Sequence, residues 1–130
     1  LGFDNMFDEL LRLSAQQSNV TNYPPYNVIK TGDETLTIEM AVAGFAEGEI
    51  DISINNRVLT IKGEKTRYED IGIEYLHRGI SSRNFTRDFT LGEYVEVLDA
   101  NVSNGILTIY LERKLPEEKK PKQIAIKYNK

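Results

Sequence analysis

Hydrophobic and polar positions along this chain follow two different rhythms. Over residues 1–13, Phe3, Met6, Phe7, Leu10 and Leu11 recur at i, i+3, i+4, i+7 and i+8, with Asp4, Asp8 and Glu9 on the opposite side. That spacing predicts a short amphipathic helix, marginal alone and therefore in need of a surface to pack on. Residues 14–22 are polar and read as a linker. Tyr23-Pro-Pro-Tyr26 then favours extended backbone, because proline fixes φ and pushes its predecessor out of the helical region.

From Tyr26 onward the period becomes two. Strands are predicted at Tyr26–Ile29, at Thr35–Ala43 (Leu36, Ile38, Met40 and Val42 on one face), at Glu49–Ile54 (Ile50, Ile52, Ile54) and at Val58–Lys62 (Leu59, Ile61). Gly44–Gly48 is a loop, with Phe45 expected to plug an end of the body. A long strand is expected at Ile80–Leu91, setting Phe85, Arg87, Phe89 and Leu91 on one face. The last two strands form a hairpin. Val95, Val97, Ala100 and Val102 precede the Asn104-Gly105 turn, and Leu107, Ile109 and Leu111 follow it. Asn-Gly favours such a turn because both residues tolerate positive φ. Short strands separated by polar turns predict an all-β antiparallel sandwich rather than alternating strands and helices.

Two stretches break this rhythm. Residues 63–79 form a long, highly charged excursion, within which Ile73–His77 has the look of a short strand. Tyr75 and Leu76 there need cover, which an exposed edge of a neighbouring chain would supply. Beyond Pro116, the charged spacer Glu117–Lys122 leads to an apolar island in which Ile124 and Ile126 share a face. The expected organisation is an arm at 1–22, a body at 23–115 and a tail at 116–130.

Composition narrows the chemistry. With 130 residues, a net charge of −4 and no cysteine, the chain suits one modest domain without disulfides and lacks the basic excess that nucleic acid demands. It has no apolar run of membrane-spanning length and no basic leader, so a cytoplasmic protein with no membrane partner is expected. The sequence begins at Leu1 rather than Met, which leaves room for an upstream segment. Three Asn-x-Ser/Thr matches, at Asn19, Asn84 and Asn101, are read as chance without a secretory signal.

Catalysis finds few candidates. His77 is the single histidine, no Gly-x-Ser-x-Gly motif occurs, and Glu69, Asp70 and Glu74 are the only acidic group suggesting a weak calcium site. A solvated loop is the better reading of that group, so no enzyme, metal or cofactor is expected. What stands out is apolar surface that the fold cannot easily hide. An Ile-Ala-Ile island beyond a charged spacer suits addition to a sheet edge, where the backbone gives affinity and alternate side chains give specificity. Arg87 reads either as an arginine whose stem packs while its head reaches water, or as one partner of an ion pair at a subunit interface.

These residues carry a resemblance. Ala100-x-x-x-Asn104-Gly105-x-Leu107 resembles the signature of the α-crystallin domain. Phe85-x-Arg87-x-Phe89-x-Leu91, Ala43-Gly-Phe45 and Ile124-x-Ile126 stand in the order and spacing of small heat shock proteins. Tyr23-Pro-Pro-Tyr-Asn27, Gly79-Ile-x-x-Arg-Asn-Phe85 and Leu111-Glu-Arg resemble the bacterial inclusion-body-binding branch. The resemblance spans about residues 23–127. It implies an immunoglobulin-like β-sandwich and an ATP-independent holdase that binds partly unfolded proteins and passes them to ATP-driven chaperones. It also implies a swapped dimer, in which Ile73, Tyr75 and Leu76 cross to the neighbour's Tyr26 and Val28, with Arg87 at the interface. Ile124 and Ile126 would dock in another dimer's groove, walled by Ile50, Ile52, Ile54, Val95 and Val97. Phe3, Met6, Phe7, Leu10 and Leu11 would form a client-binding arm. A CS-domain-like co-chaperone is the alternative, although that fold lacks both the excursion and the tail motif. A carbohydrate-binding sandwich would want grouped exposed aromatics.

Overall fold

Alternating apolar residues need a second apolar layer to cover them, and this chain supplies one with two antiparallel sheets. The computed structural model describes residues 22–66 and 72–129. The strands are β1 (Tyr26–Lys30), β2 (Thr35–Ala41), β3 (Ile50–Asn55), β4 (Val58–Gly63), β5 (Phe85–Thr90), β6 (Val95–Ser103) and β7 (Ile106–Arg113), followed by one 3-10 turn at Glu117–Lys119. One sheet has the order β1-β2-β7-β6 and the other β3-β4-β5. The predicted helix over 1–13, with Phe3, Met6, Phe7, Leu10 and Leu11, lies outside the described residues, as do Glu69 and Asp70.

Register explains the core. Leu36 faces Leu111, Ile38 faces Ile109 and Met40 faces Leu107 across β2 and β7. Leu59 faces Phe89 across β4 and β5. These side chains, with Ile61, Val42 and Leu91, are all buried. Each contributes about 1.5–3 kcal/mol relative to exposure. At the end of β4, Gly63 pairs with Phe85. A Cβ added at Gly63 would run into the Phe85 ring, so glycine is required there by close approach.

The sequence expectation of one strand over Ile80–Leu91 is corrected. Strand β5 begins only at Phe85, because its partner β4 ends at Gly63. Upstream, the groups of 81–84 are held by loops instead. Ser82 Oγ donates to Ala43 O at 3.1 Å, Arg83 N donates to the Tyr23 hydroxyl at 3.3 Å, and Asn84 Oδ1 accepts from Lys65 N at 2.7 Å. Ile73–His77 belongs to neither sheet within the chain, and every residue from Gly72 to Ser81 is exposed. The Tyr23–Pro24 peptide bond is cis.

Strand β6 holds the irregularity behind its mixed odd and even apolar positions. Val97 pairs with Leu111 and Asp99 with Tyr110, so Leu98 is an extra residue in a β-bulge. Directly paired residues share a face. Val97, Ala100 and Val102 stand opposite Leu111, Ile109 and Leu107, whose side chains point into the core. The bulge therefore keeps these three on the inner face despite their mixed odd and even numbers. Leu98 is displaced outward and is 55% exposed.

Candidate functional site

The site begins with what the topology leaves unfinished. Strands β3 and β6 each end their sheet, and each presents one unpaired backbone edge. Between them lies a cavity of about 560 Å³, lined on one wall by Ile50 and Ile52 and on the other by Ala100, Asn101 and Val102. Val42 and Leu107 also line it, and Phe45, Ala46, Glu47 and Gly48 close one end. Phe45 is the expected plug: its ring meets Phe85 edge to face at 5.4 Å between centroids.

That end loop is fixed by a carboxylate that the sequence hid. Glu49 is buried and accepts from Ala46 N at 2.6 Å, Thr66 N at 2.9 Å and Thr66 Oγ1 at 2.7 Å. The backbone bond from Ala46, then those from Thr66, pull its carboxyl from 4.5 down to about 2, with Lys65 adding attraction. Lys65 Nζ lies 3.5 Å from Glu49, donates to Gly44 O and sits over the Phe45 ring at 5.3 Å. Glu49 thus ties the cleft's closing loop to the base of the long excursion.

Of the sequence-predicted groove residues, Ile50 and Ile52 line the cavity, whereas Ile54, Val95 and Val97 do not. Val95 and Val97 are half-buried against the core, and Ile54 is 50% exposed. The sequence reading missed Ala100 and Val102 as cavity walls. Counting back from the Asn104-Gly105 turn would have found them, since the hairpin pairs Val102 with inward Leu107. In the tail, Ile124 and Ile126 are 78% and 71% exposed, and neither is seated against its own body.

A second surface lies along β1, at the opposite edge of the larger sheet. A cavity of about 680 Å³ there brings together Tyr26, Val28 and Arg87, with Pro25, Asn27 and Ile29. Tyr26 and Val28 themselves turn inward, opposite Met40 and Ile38. Of the two readings of Arg87, a head that reaches water is overturned, since the residue is only 2% exposed. The Pro24–Tyr26 segment covers it: Nη2 donates to Pro24 O at 3.5 Å, and the guanidinium lies 5.1 Å from the Tyr26 ring centroid. Ile73, Tyr75 and Leu76 stand apart from this surface and are 50%, 45% and 98% exposed. Tyr75 lines a separate shallow cavity with His77, Arg78, Gly79 and Ile80, and Arg78 lies over its ring at 4.6 Å.

Among the described residues no group of three or more His, Cys, Asp or Glu could hold a metal ion, and no helix is long and apolar enough to cross a membrane. The cleft offers apolar side chains and two strand edges, which is the chemistry of binding an extended segment.

Known proteins with this architecture share the sequence as well. The Hsp20/alpha crystallin family matches residues 28–127. Small heat shock protein HspD of Bradyrhizobium diazoefficiens is 46% identical over 126 residues, covering 97% of this chain and 81% of that protein. Small heat shock protein IbpA of Pectobacterium carotovorum is 46% identical over 127 residues, covering 98% and 90%. Among solved structures, a small heat shock protein from Synechococcus phage S-ShM2 superposes with a TM-score of 0.65 at 37% identity, covering 80% of this chain and 99% of that one. A C-terminally truncated form of AgsA from Salmonella typhimurium gives 0.61 at 30% identity, covering 79% and 98%. A two-sheet body with these motifs, matched over nearly its whole length by such proteins, places the chain in the Hsp20/alpha crystallin family, that of the small heat shock chaperones.

Proposed function

We propose that the chain is an ATP-independent holdase that binds partly unfolded proteins and prevents their irreversible aggregation, working as a dynamic oligomer of swapped dimers. The observation that carries this reading is the pairing of an open apolar cleft with an exposed Ile-x-Ile tail on the same chain. A segment that fits a sheet edge and is not seated on its own body suits the cleft of a sister chain. Each tail contact is weak once association costs are subtracted, but many linked contacts hold an assembly while letting subunits exchange. The dimer reading is supported by the open outer edge of β1 and by the exposure of Ile73, Tyr75 and Leu76. Arg87 lies beneath that edge.

The arm residues Phe3, Met6, Phe7, Leu10 and Leu11 are assigned to client capture on their amphipathic spacing. The protein acts in the cytoplasm without cofactor, nucleic acid or membrane, and hands clients to ATP-dependent chaperones. The test is a client-aggregation assay followed by turbidity. The chain suppresses aggregation equally with and without ATP, and removal of residues 1–13 reduces that suppression. Measurable ATP hydrolysis overturns the non-enzymatic reading. Undiminished protection after the removal overturns the role of the arm.

A further inference from the structure

The tail carries one more residue in phase with its two isoleucines. Tyr128 follows Ile126 at the same two-residue spacing, and it is 88% exposed, more than either isoleucine. In extended backbone, Ile124, Ile126 and Tyr128 share a face and span about 13 Å. Strand β3 presents Ile50, Ile52 and Ile54 at the same spacing over the same length. Of these, Ile50 and Ile52 line the cavity, so two isoleucines seated opposite them leave the end closed by Phe45, Ala46, Glu47 and Gly48 for the third tail position.

The cavity has room for more than aliphatic side chains. Its closed end is formed around Phe45, with Glu47 and, across the cleft, Asn101 as polar groups in the lining. An apolar floor with acceptors at its rim suits a phenol better than an alkyl chain, since the ring packs while the hydroxyl donates. Charge favours a second copy of this chain as the occupant, and Glu47 is an acidic residue in the cavity lining itself. Lys119, Lys120, Lys122, Lys127 and Lys130 surround the tail motif. The strands flanking the cleft carry Asp51, Glu96 and Asp99 and no lysine or arginine. Lys127 lies between the last two apolar positions, so the docked tail brings a cation to an acidic rim.

We propose that Tyr128 is a third anchor of the tail, its ring entering the closed end of a sister chain's cleft against Phe45 and its hydroxyl turned to Glu47 or Asn101. The inference rests on the tail-docking reading above and adds to it a residue that sets specificity and residence time.

The chain contains no tryptophan, so a full-length Tyr128→Trp protein carries a single reporter. Its emission is expected to be blue-shifted in the assembled protein relative to the same protein also carrying Ile124→Ala and Ile126→Ala. Tyr128→Ala should speed subunit exchange about tenfold, the order expected for losing one buried aromatic contact. Tyr128→Phe should retain most of the slow exchange. In a Phe45→Ala background, Tyr128→Ala should change the exchange rate far less than it does in the native chain. Identical tryptophan emission in the two backgrounds, with the double isoleucine variant disassembled, overturns the third anchor and leaves tail docking standing. If that double variant keeps its full mass, tail docking itself falls and the third anchor falls with it.

Discussion

Replacing Ile124 and Ile126 together by alanine tests whether the tail holds the proposed assembly without holding the fold. Both side chains are largely exposed in the single chain, at 78% and 71%, so their loss should leave the stability of the body within about 0.5 kcal/mol. Each substitution removes three carbons, worth about 0.8 kcal/mol apiece when fully buried. Docking can bury only the surface now open, roughly three quarters, so the pair should lose about 3–4 kcal/mol per tail. That corresponds to about a 10²–10³-fold weaker tail–cleft contact. Light scattering should then show the mass falling toward that of a dimer, while thermal unfolding of the body keeps its midpoint. An unchanged mass refutes cleft docking. A lower midpoint with unchanged mass would show that the tail packs on its own body, contrary to its exposure here.

Three further substitutions probe the body. Glu49 contributes stability that is complete above its ordinary pKa of 4.5 and lost as pH falls toward about 2, because its folded pKa is depressed. Denaturant midpoints followed across that window should drop in the native chain and change less in Glu49→Gln, which should also be less stable at neutral pH. Arg57 holds φ of 66° beside Asn56 at 51° in the β3–β4 turn, so Arg57→Gly should relieve the strain and raise stability by about 0.5 kcal/mol or more in thermal unfolding. Gly63→Ala should destabilise by about 1–3 kcal/mol, since its Cβ meets the Phe85 ring; an unaltered unfolding midpoint would mean the ring moves aside freely.

Where a residue's own neighbours decide its conformation, the sequence was enough. The alternation of β2 and β7 and the Asn104-Gly105 turn appear as expected, with positive φ of 54° and 77° at the turn. The exposed apolar residues of the tail were legible too, because the charged spacer Glu117–Lys122 separates Ile124 and Ile126 from the body. Tertiary decisions were not legible. Glu49 resembles any acidic residue at a strand start until Thr66, seventeen positions later, supplies its donors. The start of β5 is set by the end of β4, which no local pattern at Ile80–Asn84 encodes. Arg87 is covered by a segment 63 positions upstream at Pro24, so its burial could not be read from its own strand. The cleft walls were half legible: Ile50 and Ile52 follow from alternation, while Ala100 and Val102 emerge only when the strand is counted back from the Asn104-Gly105 turn across its change of parity.

That change of parity makes Leu98 the most dispensable position in its strand as far as alignment goes. Removing it would leave Val97 against Leu111 and Asp99 against Tyr110, so every rung above and below would survive a chain one residue shorter. What the deletion would take away is the added local twist that a bulge confers. Curvature of the cleft wall and pairing of the hairpin are thus encoded separately, and mutation can reshape the one without misaligning the other.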